Sequence, residues 1–292
     1  MKIAIFGKTF SDEISEYLQV LMSKLSTNNF NIFIYKPYYL KIKKIISPDL
    51  SLKFFNDFND LPSDTDFLFS IGGDGTLLST LPIIRDLGIP VIGINMGRLG
   101  FLSTISKEEI SSCIDKLINK KYTIEKRALL KLNTKNHLFG EVNYALNDVA
   151  ISKKNGTSLI HIHVFVDDIL LNSYWADGII IATPTGSTAY SLSCNGPIIV
   201  PYSENFVITP IASHNLNVRP VVIPDNSIIR VKVDGRNNNF NVSLDSHVES
   251  FNESVELIIK KAGFKFNLIK LNDKNFYDTI REKLMWGLDI RN

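Results

Sequence analysis

An apolar run, Phe67 to Ile71, ends in Gly72-Gly73-Asp74-Gly75-Thr76, and an apolar pattern resumes at Leu77. Glycines in such a turn let the backbone approach a ligand with no Cβ in the way. N–H groups at the start of a following helix can hydrogen-bond an anion, and the helix dipole favours negative charge there. A carboxylate beside that cradle is wasteful unless it takes a proton or faces a metal. Phosphoryl transfer suits it, because positioning supplies most of the acceleration and a weak base suffices for the attacking hydroxyl. The plainer reading is a strand-to-helix turn with Asp74 as its N-cap.

A second stretch, Tyr174 to Ser193, carries an apolar run at 179–182 and then Thr-Pro-Thr-Gly-Ser-Thr. The hydroxyls of Thr183, Thr185, Ser187, Thr188, Ser191 and Ser193 are dense enough to serve phosphate or ribose oxygens. Tyr190 offers a flat face for a purine or nicotinamide ring. A Ser/Thr-rich β-turn is the ordinary alternative. Asn147-Asp148 could bind the paired hydroxyls of a ribose, or cap a turn.

These residues need a frame. Residues 2–6, 29–35, 67–71 and 90–94 read as strands. Ile14, Leu18, Leu21, Met22 and Leu25 fall on one helix face, with Ser11 as a candidate N-cap. Leu77, Leu78, Leu81, Ile84 and Leu87 suit one further helix, with Pro82 near its first turn and Gly88 at its end. Residues 107–119 suit another. This βαβ rhythm predicts a parallel sheet with helices on both faces. From about 122 to 268 the runs are strand-like and separated by turn residues, which predicts a mostly antiparallel sandwich or stacked sheets. Asn237–Asn239 reads as a turn between two of these strands. A final helix pattern at 275–285 could pack back on the first domain. The expected division is an α/β nucleotide-binding domain, residues 1–103 joined by 270–292, and a β-rich domain, residues 104–269.

The 292 residues are 45% hydrophobic and 21% charged, enough to bury a sizeable core. A formal net charge of +2 makes no case for nucleic-acid binding. The sequence has no apolar run long enough for a membrane span. Cys113 and Cys194 are far apart and read as free thiols of a reducing, cytoplasmic setting. The many potential strand edges point to a homo-oligomer, dimer or tetramer.

The Gly72–Thr76 motif, Asn147-Asp148 and Thr183–Ser191 occur in that order, and together they resemble the NAD kinase family. Residues 94–102, 176–178 and 210–224 share the likeness, which runs along the whole chain. The first motif alone also occurs in diacylglycerol- and sphingosine-type lipid kinases and, loosely, in phosphofructokinases; the Thr-Gly-Ser-Thr-Ala-Tyr segment is far more specific. The resemblance implies an active site between an α/β and a β-rich domain, and transfer of phosphate from ATP to the 2′-hydroxyl of the adenosine ribose of NAD, giving NADP. It implies Asp74 as catalytic base with Gly75 beside the substrate. It implies ribose contacts from Asn147 and Asp148, and a nicotinamide end formed by Asp177 and the backbone around Ala212. Thr188, Ala189, Tyr190, Ser191, Leu192 and Ser193 would line the dinucleotide, Tyr190 by stacking. Mg²⁺ or another divalent ion would bridge the ATP oxygens, with no metal site formed by the protein itself. Trp175, Cys194-Asn195 and Ser246 depart from the family pattern.

Other candidates are weaker. Gly7-Lys8-Thr9 follows the first strand but lacks the upstream glycine of a P-loop. His161 and His163 share one strand face; without a third ligand, cross-strand hydrogen bonding suits them better than a metal. Arg98 could steer phosphate or form a salt bridge. His214 and His247 lie near the candidate segments. A lipid kinase and a non-catalytic dinucleotide sensor are the competing functions.

Overall fold

The computed structural model describes residues 1–47, 50–97, 99–154, 156, 158–235, 238–271 and 275–286. It divides into two compact units, residues 1–126 with 266–292, and residues 127–265.

The first unit is built on a sheet in the order Leu52–Phe55, Asn31–Tyr35, Lys2–Gly7, Phe67–Ile71, Val91–Asn95, Phe266–Lys270, Thr123–Arg127, with the short strand Ile105–Ser106 beside Val91–Asn95. The pairings from Leu52–Phe55 through Phe266–Lys270 are parallel. Phe67–Ile71 and Val91–Asn95 are buried at every position, as a sheet covered on both faces requires. Helix Ser15–Thr27 buries Leu18, Leu21, Met22 and Leu25, the expected face, and Ile14 ends the short 3₁₀ turn before it. Ser11 precedes that turn without a side-chain capping bond. Helix Ile110–Ile118 follows a capping box in which Ser106 and Glu109 bond each other's backbone N–H groups.

Two expectations change here. The single helix across 77–87 is two short ones, Asp74–Leu78 and Leu81–Ile84. Pro82 sits in the first turn of the second, where its missing N–H costs nothing. The unit boundary lies at 126/127 and 265/266 rather than at 103/104 and 269/270. Ile105–Ser106, helix Ile110–Ile118 and Thr123–Arg127 belong with the parallel sheet, and so does the whole strand Phe266–Lys270. The last helix, Phe276–Leu284, is capped by Asn275.

The second unit holds two antiparallel sheets. One runs Val221–Pro224, Asn205–Ile211, Gly178–Ala182, Asp148–Lys153, Phe240–Leu244, His247–Phe251; the other runs Ile169–Ala176, Ile160–Val166, Ile229–Asp234, Leu257–Lys261, Leu130–Asn133, Tyr144–Ala145. Val149, Ile151, Ile179 and Ile181 of the first meet Ile162, Val164, Val231 and Leu257 of the second in one apolar core. The other face of the first sheet, Ala150, Ile180 and Val207, is covered by Ile199 and Cys194 from the segment after Ala182. Asn237 lies outside the described residues.

Candidate functional site

Gly7, Ile71 and Asn95 are the last residues of three adjacent parallel strands. A cavity of about 350 Å³ opens there, lined by Thr9, Phe10, Ser11, Gly72, Gly73, Asn95 and Gly97. Ligands of open α/β sheets bind at such carboxyl ends. A larger cavity, about 570 Å³, lies between helix Ser15–Thr27 and residues 44–47 and 50 and touches no candidate residue. Thr9 reaches the strand-end cavity, while the Lys8 carbonyl accepts from the ammonium of Lys41.

The glycines of the turn differ in what they do. Gly72 has φ +143, a conformation other residues avoid. Gly73 has φ −81, and a Cβ on Gly73 or Gly75 would meet nothing within 4 Å. Neither needs to be glycine for packing, yet Gly75 sits in a helix, where glycine costs roughly 0.5–1 kcal/mol against alanine. What the two omit is bulk on the open side of the turn.

Asp74 opens helix Asp74–Leu78. Its Oδ2 accepts from Phe101 N at 2.8 Å, and its Oδ1 accepts from Leu102 N at 3.1 Å and Ser103 N at 2.8 Å. The carboxylate therefore grips the loop after Gly100 rather than capping its own helix. Gly100 makes the grip possible, since a Cβ there would lie 1.9 Å from Asp74 Oδ1. Gly93 supports it from below: its Cβ would lie 2.7 Å from Ser103 Cα. Arg98 lies outside the described residues.

In the second unit the same device recurs. Asp245 accepts from three successive N–H groups, Leu146 at 3.0 Å, Asn147 at 2.8 Å and Asp148 at 3.2 Å. Its own N–H donates to Asp148 O at 3.0 Å. Asp245 has φ +51, the left-handed region that Asn and Asp tolerate best. The Thr183–Thr188 turn is docked onto the residues so held. Thr183 N donates to Asn147 O at 2.9 Å, Thr183 Oγ1 to Leu146 O at 2.6 Å, and a Cβ on Gly186 would lie 2.1 Å from Asn147 O.

Asp148, the first residue of its strand, is 5% exposed. Its carboxyl makes no hydrogen bond or ion pair among the described residues. Burial first, and the neighbouring charge of Asp245 second, push its pKa up to about 7. Burial also raises Asp245, against its three N–H bonds and the charge of His247, which pull the other way. Tyr190 and Cys194 are raised chiefly by burial, and each also feels Asp148, so the second unit gathers Asp148, Asp245, Tyr190 and Cys194.

The hydroxyl-rich segment is more inward than its composition implies. Thr183, Thr185, Ser187 and Ser191 are buried. Ser187 Oγ donates to Pro184 O, and Ser191 Oγ pairs with Thr209 Oγ1 at 2.9 Å. Thr188 Oγ1 donates to Thr185 O. These hydroxyls tie the turn together. What the segment presents outward is the Tyr190 ring, 46% exposed, with Ser193 exposed and Ala189 and Leu192 half-buried. Asp177 pairs with Lys153, whose Nζ is 2.6 Å from its Oδ1. Lys153 belongs to the strand Asp148–Lys153, so the cation beside Asp177 comes from a different strand than Trp175. Trp175 itself lies between the rings of His161 and His214, at 5.0 and 5.3 Å. His163 bonds Ser173 Oγ and Asp234 Oδ2, the cross-strand arrangement expected of it. Ala212 follows the strand Asn205–Ile211 with φ +45. No group of three His, Cys, Asp or Glu among the described residues could hold a metal ion, and no described helix is long and apolar enough to cross a membrane.

Sequence reasoning did not give Asp245, Lys153, Gly93 or Gly100 a role. For Gly100 a signal existed, since it lies in the 94–102 segment that shares the family likeness.

Fold and site define the class: an α/β unit with a glycine-lined cavity at its strand ends, followed in the chain by a two-sheet β unit. Residues 5–122 match the ATP-NAD kinase N-terminal domain, and residues 146–271 match the ATP-NAD kinase C-terminal domain. The chain is 45% identical to an NAD kinase of Cytophaga hutchinsonii and 41% identical to one of Bacteroides fragilis, over the full length of both chains in each case. Among solved structures, yeast NADH kinase complexed with NADH superposes with a TM-score of 0.87, covering 100% of this chain and 89% of that one, at 24% identity. An NAD kinase from Archaeoglobus fulgidus in complex with ATP gives 0.75, covering 98% and 99%, also at 24%. The chain belongs to the NAD kinase family.

Proposed function

We propose that the chain transfers the γ-phosphoryl group of ATP to the 2′-hydroxyl of the adenosine ribose of NAD, making NADP. The 2′-oxygen forms the new bond to phosphorus, the bond to the β,γ-bridging oxygen breaks, and ADP leaves. The hydroxyl proton passes to Asp74. The observation that carries this reading is Asp74 itself, a carboxylate held by three N–H groups beside Gly73 and Gly75, two glycines that the protein's own packing does not need. A carboxylate so fixed needs no reorganisation to receive a proton, and the bare turn admits phosphate oxygens close to backbone N–H groups.

Asn147 and Asp148 take ribose hydroxyls in this reading. Tyr190 stacks on a base, Gly75 and residues 188–193 line the dinucleotide, and Asp177 and Ala212 serve its nicotinamide end. Ser191, whose hydroxyl is bonded to Thr209, contributes through backbone and shape. A divalent ion, Mg²⁺ by preference, would be held chiefly by the ATP phosphates and would neutralise their charge, as suits an ion that needs few protein ligands. The setting is the reducing cytoplasm, in keeping with two free cysteines. Copies assemble as a dimer or tetramer, a reading supported by end strands that expose Ile169, Leu170, Val222 and Val248. Light scattering decides the last point.

The test is to incubate the protein with NAD, ATP and Mg²⁺ and couple the product to an NADP-specific dehydrogenase. NADP formation supports the reading. Its absence, with dinucleotide binding retained, favours a sensor instead.

A further inference from the structure

Asp245 belongs to no part of the chemistry described so far, yet it organises the second unit's candidate residues. Its carboxylate collects the N–H groups of Leu146, Asn147 and Asp148, and the Thr183–Thr188 turn rests on the carbonyls of Leu146 and Asn147. Three successive N–H groups on one carboxylate fix the direction in which the Asn147 and Asp148 side chains leave the backbone. Beside it, the Asp148 carboxyl is buried, 5% exposed, and unpartnered among the described residues. Burial and a neighbouring carboxylate are the two conditions that disfavour the charged form of such a group until hydrogen-bond donors reach it.

We propose that Asp245 is a positioning residue for dinucleotide binding, and that binding at Asp148 is coupled to loss of that carboxyl's proton. The inference rests on the reading of Asn147-Asp148 as the ribose contact. The charge of Asp245 is the second cause, after burial, that keeps a proton on Asp148 near neutral pH. A ribose diol brings two O–H donors, which favour the ionised carboxylate. Binding therefore releases a proton wherever free Asp148 is protonated. The other groups around the pair are Tyr190 and Cys194, both of which feel Asp148, and His247, which acts on Asp245. With these groups beside the pair, the assignment to Asp148 rests on variants and not on a pH profile alone.

The experiment is calorimetric titration of the full chain with NAD, without ATP, between about pH 5.5 and 7.5. With free Asp148 titrating at about 7, wild-type affinity should fall ~25-fold from the upper to the lower pH. In Asp245→Asn the like charge is gone while burial remains, so the loss should begin at lower pH and the fall across the range should be smaller than in wild type. Affinity at pH 7.5 should also drop, because an amide cannot satisfy all three N–H groups. A purely structural Asp245 would weaken binding equally at every pH. Asp148→Asn, which leaves the backbone cradle intact, should bind NAD with no pH dependence in this range, and it decides the matter if Asp245→Asn does not fold. A wild-type affinity flat across the range overturns the proposal, as does an unchanged pH profile in either folded variant. Failure of NAD and NADP to bind at any pH overturns the dinucleotide reading itself, and this inference with it.

Discussion

Replacing Asp74 by Asn is the natural test of a catalytic base, but the structure makes it a change with two consequences. Asp74 accepts one N–H on Oδ2 and two on Oδ1. An asparagine keeps one oxygen. In its better orientation it retains Leu102 and Ser103 and turns an –NH₂ group toward Phe101 N–H, so one bond to a charged acceptor is lost and two donors face each other. That costs about 1.5–3 kcal/mol, or roughly 4–10 °C in melting temperature for a unit of this size. Loss of a general base costs a further factor of about 10²–10⁴ in turnover. The two effects are separated with Gly93→Ala. A Cβ there would come within 2.7 Å of Ser103 Cα, so it pushes the loop away while leaving the Asp74 carboxylate chemically intact. Melting curves and kcat are measured for both variants. At similar loss of stability, Asp74→Asn should lose at least about 100-fold more in kcat. Equal losses of kcat at matched stability would reduce Asp74 to a loop anchor, and a near-native kcat in Asp74→Asn would remove it from the chemistry altogether.

Gly75→Ala should fold with unchanged or slightly raised stability, because its Cβ meets nothing within 4 Å, yet its KM for a substrate should rise about tenfold or more if phosphate or sugar approaches that face; steady-state kinetics beside a melting curve checks both halves. Gly186→Ala should do the reverse and destabilise the second unit, since its Cβ would lie 2.1 Å from Asn147 O; urea unfolding followed by intrinsic fluorescence measures it. Asp148→Asn should stabilise the protein at alkaline pH. A carboxyl raised from 3.8 to about 7 contributes nothing below its unfolded pKa, and its destabilisation grows as pH rises through that interval. The full cost above pH 7 is about 4 kcal/mol at most. Urea midpoints of the two proteins should therefore agree near pH 4 and diverge above 7 in favour of the variant; a constant difference across pH would contradict this.

The parallel α/β unit was legible because its signals are local. The burial of Leu18, Leu21, Met22 and Leu25 follows directly from their helical spacing, and Phe67–Ile71 reads as a strand because it is apolar but for Ser70. The break between Asp74–Leu78 and Leu81–Ile84 was not legible, since an apolar period continues across it and only the proline hints at it. The unit boundary was misplaced for a related reason. Ile105–Ser106 and Thr123–Arg127 are too short and polar to announce which sheet they join, and that choice is made by pairing with distant strands. Asp74 was recognisable from its glycine setting, but its grip on residues 101–103 spans 27 to 29 positions and leaves no trace in spacing. Asp245 bonds residues 97 to 99 positions away and is invisible for the same reason. Hydroxyl density at 183–193 was easy to see and easy to over-read, because composition cannot separate a hydroxyl offered to a ligand from one spent on its own turn.

The central claim concerns one phosphate and one oxygen, and ³¹P NMR of the reaction product addresses it directly. With NAD, ATP and Mg²⁺, the wild-type chain should yield one ADP for each new phosphomonoester, at the position of authentic 2′-phospho-NAD, and Asp74→Asn should yield almost none. Phosphate on the 3′-hydroxyl, or ADP release with no phosphorylated dinucleotide, would contradict the account.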